Sequence, residues 1–293
     1  MRVTQSMLTN HTIRQISTSY SKLQVLQDQL TSGKKITRPS QDPVTAMNGL
    51  RYRAEIAQNR NYLDRHVGEA YQWIESADNT LDKVNLALQR ARELTVQASN
   101  DTYTDDQRFA IAAEIDQLTE HIGALANTKV NNKYLFNGRD TSAAPFNMTS
   151  LSFEPTNNES IEIEVMKGIT IGVNVKPSDA FDSTMFSDLQ ALSAALKEEQ
   201  PNGNISSFVS KIDSHASDVM QNRSILGAKY NRVEMMEQRL SQEETAAARM
   251  MSENEDIDME KVLIELTSQE ALHRASLSAG SRIIQPTLVD FLR

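Results

Sequence analysis

A narrow apolar stripe with heptad spacing runs along residues 44–99 and constrains the fold more than any other feature of the sequence. Such spacing is typical of a helix that packs along a coiled-coil seam rather than into a globular core. A second stripe of the same kind runs from Ile205 to about Met251 and includes Ile212, Val219 and Leu226. Together the stripes predict a long antiparallel coiled-coil helical rod. The members of the first stripe are Ile56, Leu63, Val67, Ala70, Ile74, Ala77, Leu81, Val84, Leu88, Ala91 and Ala98.

The segment between the two stripes changes character. Thr104 and Gln107 form a capping box that predicts a helix start, and the apolar residues that follow have helical spacing. Further on, polar and apolar residues alternate on both sides of Met166–Lys167–Gly168, which predicts a β-hairpin. A second capping box, Ser187 with Gln190, predicts the start of a short helix. The alternating apolar residues are Ile161, Ile163, Val165, Ile169, Ile171, Val173 and Val175.

Both ends of the chain carry large apolar side chains, although most chain ends are polar. Residues 1–32 predict an amphipathic helix, and the last 39 residues predict another whose middle is made of small residues that let helices approach closely. We expect these two ends to form an assembly interface. Its predicted members are Ile13, Ile16, Tyr20, Leu23, Leu30, Val262, Leu266, Ile283, Ile284, Leu288, Phe291 and Leu292.

The order of these segments predicts a nearly symmetric, mainly α fold with a small β insertion. A terminal helical domain is expected from residues 1–42 with 256–293, a helical rod from 43–142 with 185–255, and an inserted β-rich domain from 143–184. Isolated short helices are marginal in water. We therefore hypothesise that both termini are disordered in the free monomer and become helical on assembly.

The composition excludes several classes of function. The formal net charge of −9 disfavours nucleic acid and anionic membrane as partners. No run of about 18 apolar residues is present, so membrane insertion is not expected. The absence of cysteine rules out thiolate metal sites, and the five histidines are too far apart for a metal-binding motif. No catalytic motif is present, so we expect no cofactor and no enzyme activity.

Residues 31–46 read TSGKKITRPSQDPVTA and carry a punctuated loop. Gly33 is better explained as a helix stop than as part of a phosphate loop, and Asp42 before Pro43 predicts an N-cap and a first helical position. This loop resembles the N-terminal signature of the flagellin and hook-associated protein family, and residues 223–234 resemble its C-terminal signature. The matching residues are Gly33, Lys34, Lys35, Ile36, Pro39, Ser40, Asp42 and Pro43, and then Arg223, Leu226, Gly227, Asn231, Arg232 and Glu234.

The resemblance implies a structural subunit of the bacterial flagellum, exported by the flagellar type III apparatus and placed outside the cell. Gln41–Val44 and the ending Ile283–Leu292 resemble the hook–filament junction members more than the flagellins. The implied partners are further copies of the chain in a ring, the first hook-associated protein, flagellin, and an export chaperone that binds the C-terminal region. Flagellin itself is the alternative, and a tip or translocation protein of a type III secretion system is the alternative from another class.

The basic side chains of the loop have two interpretations. Lys34, Lys35 and Arg38 either form a solvated basic surface or contact an acidic surface on a neighbouring subunit.

Overall fold

The computed structural model describes residues 5–99, 104–198 and 205–284. Within these ranges the chain is mostly helical, which confirms the mainly α prediction. The helices are α1 Gln5–Ser32, α2 Pro43–Asn61, a π-helical turn Tyr62–Val67, α3 Gly68–Ala98, α4 Asp105–Ala126, α5 Pro177–Ala180, α6 Ser183–Lys197, α7 Ile205–Glu255 and α8 Met259–Ile284. Three antiparallel strand pairs lie between α4 and α5: β1 Lys129–Val130 with β2 Lys133–Tyr134, β3 Phe146–Asn147 with β4 Ser152–Phe153, and β5 Glu162–Met166 with β6 Ile169–Gly172.

The chain divides into two compact units. The terminal unit contains Met1–Gln58 and Glu244–Arg293, and the central unit contains Asn59–Glu243. No helix in the described part of the chain is long and apolar enough to cross a membrane. The three-domain division expected from the sequence stays a prediction.

In the central unit, α3 and α7 run antiparallel. Two hydrogen bonds show the direction. Tyr71 Oη donates to Glu237 Oε2 at 2.7 Å, and further along α3, Arg92 Nε donates to Asp213 Oδ1, earlier in α7, at 2.5 Å. Along α7 every seventh residue is buried, which is the repeat of a coiled-coil seam. Within the central unit these residues are Ile205, Ile212, Val219, Leu226, Val233 and Leu240. The predicted coiled-coil pairing is confirmed.

The first stripe is not one uniform α-helix. A π-helical turn from Tyr62 to Val67 separates α2 from α3. Such turns insert one extra residue into the helical repeat and often mark functional sites. The apolar spacing does not reveal the turn. A step of four residues, as from Leu63 to Val67, is close to one full turn in both kinds of helix and keeps the two side chains on nearly the same face.

The β insertion contains the predicted hairpin. Ile163 pairs with Ile171 and Met166 pairs with Ile169, so Lys167 and Gly168 form the turn, and Gly168 takes the left-handed φ of 76° that the turn needs. A cluster of phenylalanine rings packs this insertion against the helices. The ring centroids of Phe146 in β3 and Phe186 in α6 are 4.6 Å apart.

The predicted start of α6 is wrong by five residues, since Asp182 rather than Ser187 is the N-cap. The helix begins at Ser183, because the Asp182 carboxylate accepts hydrogen bonds from the Thr184 backbone and hydroxyl and acts as the N-cap. The hydroxyl of Ser187 instead donates to the Thr184 carbonyl at 2.8 Å, inside the helix.

Candidate assembly interface

The terminal unit is built on the pairing of α1 with α8. The shielded positions alternate in steps of three and four on both helices, as in a coiled coil. The pair is antiparallel, since Gly280 lies beside Thr12 and Ile16 near the start of α1, while Gln269 reaches Ser19 further along. The shielded positions are Thr12, Ile16, Ser19, Leu23, Leu26 and Leu30 on α1, and Val262, Leu266, Gln269, His273, Ser276 and Gly280 on α8.

The middle of this seam is polar. Ser19 is only 8% exposed, and its hydroxyl lies 3.1 Å from Gln269 Nε2 and 3.3 Å from His273 Nδ1. The rings of Tyr20 and His273 pack against each other at a tilt, with their centroids 6.2 Å apart. The sequence analysis did not predict this cluster. It assigned the seam from large apolar residues and therefore placed Tyr20, rather than Ser19, in it.

The structure brings together only some of the residues predicted for assembly. Leu23, Val262 and Leu266 are buried in the seam, and Ile16 and Leu30 are half-buried there. Ile13 and Tyr20 are 51% and 64% exposed instead. Ile283 and Ile284 end α8, but their side chains lie outside the described part of the structure. Leu288, Phe291 and Leu292 lie outside the described residues altogether.

Exposed apolar side chains flank the seam on both sides. On one flank, Val25 and Ile264 line a groove of about 720 Å³ between the helices, with Lys22 and Glu265 beside them. On the other flank, helical spacing places Ile13 and Tyr20, seven residues apart and outside this groove. Large exposed apolar residues of the pair are Met7, Leu8, Ile13, Tyr20, Val25, Met259, Leu263, Ile264, Leu272 and Leu277. These exposed apolar residues make the helix pair a candidate interaction surface.

Gly280 sets the spacing of the pair. A Cβ atom added there would lie 3.2 Å from both Ile16 Cδ1 and Thr12 Cγ2. We expect Gly280→Leu to overpack the seam and to lower the stability of the helix pair by about 1–3 kcal/mol. Helicity followed by circular dichroism during heating measures the effect. Ala279→Leu, at an exposed neighbouring position, is the matched control, and equal melting of the two variants would contradict the prediction.

The signature loop is attached to the connection between α7 and α8. Gly33 ends α1 with a φ of 69°, and its carbonyl accepts a hydrogen bond from Ile257 N at 3.1 Å. Lys35 N donates to the Glu255 carbonyl at 2.6 Å, and Lys34 pairs with Asp256 as in an antiparallel ladder. Backbone hydrogen bonds therefore join the loop after α1 to the connection between α7 and α8.

A buried carboxylate completes this junction. Glu255 is 4% exposed, and its Oε2 accepts from Lys34 Nζ at 2.8 Å and from the Arg53 guanidinium. Gly49 leaves room for it, since a Cβ there would lie 1.8 Å from Glu255 Oε1. We name these four residues the Glu255 clamp. The sequence analysis did not predict this clamp.

The lysines of the loop thus have partners inside the chain. Lys34 binds Glu255, and Lys35 Nζ donates to the Glu253 carbonyl at 2.5 Å. Contact with a neighbouring subunit is not needed to explain either residue. Arg38 is exposed. The predicted N-cap is confirmed, because Asp42 Oδ1 accepts from Val44 N at 3.0 Å and Thr45 N at 3.2 Å.

The charges at the clamp predict a pH window for the terminal unit. The hydrogen bond to Glu255 raises the pKa of Lys34, and the Ser252 hydroxyl, with Lys34 as a further cause, lowers the pKa of Asp256. Stability from a raised lysine pKa is lost as the pH rises through the folded value, and stability from a lowered aspartate pKa is lost as the pH falls through it. We expect losses above about pH 10 and below about pH 4.

Thermal melting of the terminal helices across this range measures the window. Lys34→Gln should flatten the alkaline limb and Asp256→Asn should weaken the acid limb. Unchanged limbs in both variants would contradict the assignment.

The C-terminal signature is only partly explained by packing. Arg223 donates to Asp78 Oδ1 at 2.9 Å and to Asp82 Oδ1 at 2.7 Å, and Leu226 is fully buried. Gly227 has no atom within 4 Å of an added Cβ. Its remaining residues, Asn231, Arg232 and Glu234, are exposed.

Comparison with known proteins identifies the family. The model of the bacterial flagellin N-terminal helical region matches residues 3–141, and that of the C-terminal helical region matches residues 209–292. The chain belongs to the flagellin family. The family resemblance of both signatures is thereby confirmed, and the matched regions contain α1 to α4, most of α7, and α8.

Relatives within the flagellin family include junction proteins and filament proteins. Flagellar hook-associated protein 3 of Escherichia coli is 26% identical over 304 residues, covering 95% of this chain and 96% of that protein. A flagellin of Bacillus subtilis is 28% identical over 297 residues, covering 94% of each. Both alignments span nearly the whole chain.

Solved structures of flagellin-family proteins share the fold. A putative flagellar hook-associated protein from Vibrio parahaemolyticus superposes with a TM-score of 0.68 at 21% identity, covering 74% of this chain and 100% of the other. The flagellar junction protein FlgL from Legionella pneumophila gives a TM-score of 0.59 at 14% identity, covering 71% and 99%. The flagellin-like fold is confirmed.

Proposed function

We propose that the chain is a structural subunit of the bacterial flagellum that joins the hook side to the filament. The observation that carries the proposal is the terminal helix pair, which exposes large apolar side chains on both flanks in a member of the flagellin family. A helix pair with two apolar flanks is suited to a layer between neighbouring subunits. The nearly full-length similarity to flagellar hook-associated protein 3 of Escherichia coli supports the junction position.

Burial of these side chains provides the driving force. Tyr20 and Ile264 are 64% and 68% exposed, and burying one large apolar side chain contributes ~1.5–3 kcal/mol. The pair exposes enough such residues to offset an association cost of ~4–15 kcal/mol. Copies of the chain would form a ring. Its two neighbours would be the first hook-associated protein and flagellin.

The ordering of the termini on assembly is part of the proposal. α1 and α8 share a seam whose middle is held by Ser19, Gln269 and His273 rather than by large apolar groups. Helices with so little buried apolar surface are marginal without neighbours. We propose that they gain their full helicity in the assembled structure, and that an export chaperone covers the C-terminal region before secretion.

Deletion of the gene tests the junction role. Loss of the junction subunit should leave hooks on the cell, remove attached filaments, and release flagellin into the medium as monomer. Electron microscopy of the cells and immunoblots of the medium measure these outcomes. Complementation with the intact gene is the control. Normal attached filaments would overturn the proposal.

Flagellin itself is the second candidate, favoured by the 28% identity to a Bacillus subtilis flagellin along 94% of both chains. The same deletion separates the two. If this chain were the filament subunit, hooks would remain and no filament protein would appear in the medium.

A further inference from the structure

The central unit contains a polar cavity lined by the start of α3 and by segments of the β insertion. Its volume is about 760 Å³, which lies within the range of small-molecule sites. Every residue that lines it belongs to the central unit. We name it the Trp73 cavity, after the one residue of its lining that is fully buried.

The charged side chains of the Trp73 cavity cancel one another. The lining contains three basic and three acidic side chains. Two ion pairs join four of them. Lys133 Nζ lies 3.9 Å from Glu69 Oε1, and Arg139 Nη1 lies 3.2 Å from Glu159 Oε2. The cavity therefore has no net charge that would attract a lone cation or a lone anion.

Hydrogen-bonding groups of both kinds remain unused in the lining. Lys176 and Glu162 line the cavity and have no ion-pair partner in the part of the chain that the structure describes. Glu69 and Glu159 each bind their cation through one carboxylate oxygen, which leaves the other oxygen as an acceptor. A hydroxyl group suits such a lining, because it both donates and accepts hydrogen bonds.

Trp73 provides a buried donor to the cavity. It is 2% exposed, and no described residue accepts a hydrogen bond from its indole N–H. Buried indole N–H groups usually have a partner, so the acceptor has to come from outside the described chain. Glu69 lies one turn earlier on the same face of α3, and its charge is balanced by Lys133. A neutral oxygen therefore fits beside Trp73 better than an ionised one, which would need a further counter-ion.

Hydrogen bonds fix the wall of the cavity that precedes β5. Asn174 Oδ1 accepts from Ser160 Oγ at 3.0 Å and from Ile161 N at 2.8 Å. Asn158 Oδ1 accepts from Ser178 N at 3.2 Å. Asn174 is 1% exposed, so these bonds are shielded from competing water. A wall that is ordered before binding loses little conformational entropy when a ligand binds.

We propose that the Trp73 cavity binds a neutral saccharide of disaccharide size. Its hydroxyls pair with the unused donors and acceptors of the lining, and one of its oxygens accepts from the Trp73 N–H. A sulfate or a carboxylate would leave the glutamate oxygens without donors. An amino acid would depend on Lys176 and Glu162, which are exposed, and exposed ion pairs contribute little. This site goes beyond the proposed function and does not depend on it.

Fluorescence of the full-length protein tests the proposal, because Trp73 is the only tryptophan of the chain. Titration with maltose, cellobiose and diacetylchitobiose should change the emission along a saturating curve for at least one of them, with a Kd no weaker than about 10 mM. Sorbitol at equal concentration controls for solvent effects. Saturation by sodium sulfate or glycine, with none by the disaccharides, would overturn the saccharide assignment. No saturable change with any of these probes would overturn the site.

Two variants locate the binding in the cavity. Lys176→Ala and Glu162→Ala should each raise the Kd roughly fivefold to tenfold, as expected when one hydrogen bond to a charged group is lost. Glu154→Ala is the matched control, since Glu154 is exposed in the same insertion but does not line the cavity. Thermal melting of all three variants controls for folding. A Kd unchanged in both cavity variants would overturn the assignment to this cavity.

Calorimetric titration of Trp73→Phe tests the indole N–H separately. Phenylalanine keeps an aromatic ring at this position but has no N–H group. The Kd should rise about tenfold, because the saccharide oxygen then has no donor. An unchanged Kd in a variant that melts cooperatively would overturn the role of Trp73. If this variant does not fold, the Lys176 and Glu162 variants still decide the proposal.

Discussion

Replacing Lys34 and Arg53 together by alanine should lower the free energy of unfolding of the terminal unit by about 3 kcal/mol. Glu255 is 4% exposed and both cations hold its carboxylate. Without them a buried charge has no counter-ion, and burial of an unpaired charge is strongly unfavourable. Replacing Glu255 itself by alanine should cost less, about 1–2 kcal/mol. It removes the same hydrogen bonds but leaves Lys34 and Arg53, 36% and 53% exposed, free to hydrate.

Hydrogen exchange of the α1 and α8 amides measures this difference within the terminal unit. Glu253→Ala is the control, because Glu253 pairs with Arg249 on the exposed surface of the same helix. Its effect should stay below about 0.5 kcal/mol. Equal losses from the Lys34/Arg53 and Glu255 variants would show that the carboxylate is not effectively buried.

Leu226→Ala should lower the stability of the central unit by about 2–5 kcal/mol. Leu226 is fully buried in the heptad seam of α7, so its truncation removes apolar contacts and leaves a cavity. Trp73, the only tryptophan of the chain, is 2% exposed in the same unit. Its fluorescence during urea unfolding reports the change.

The neighbours of Leu226 are matched controls. Ile225 is 46% exposed, and its replacement by alanine should change stability by less than about 0.5 kcal/mol. Gly227→Ala should stabilise the helix by about 0.5–1 kcal/mol, because nothing lies within 4 Å of the added Cβ. If all three variants unfolded alike, Leu226 would not be a seam residue.

The long helices could be predicted because their burial repeats locally. The buried apolar residues of α7 recur every seven positions, and that repeat is visible in the sequence without knowledge of the partner. The hairpin turn at Lys167–Gly168 and the cap at Asp42 are similarly local. Each depends on residue types within a few positions of one another.

Contacts between distant segments could not be read in this way. Lys34 and Glu255 are 221 residues apart, and no local pattern pairs them. The seam of α1 shows the same limit. Ser19 and Tyr20 both fit an amphipathic helix, and the position of α8 decides that the serine is buried and the tyrosine exposed. The family could be inferred from the signature residues, yet Lys34 of that signature serves the fold through Glu255.

The pairing of α1 with α8 has a consequence for the order of folding. Its two helices lie at opposite ends of the sequence, so the α1 seam has no partner until nearly the whole chain is present. Closing such a long loop is entropically costly and slow compared with the local contacts of α3 and α4. A chain that emerges from its N-terminus first would therefore complete its central unit early and its terminal unit last. Any truncation that removes α8 would leave the N-terminal segment without its own chain to fold on.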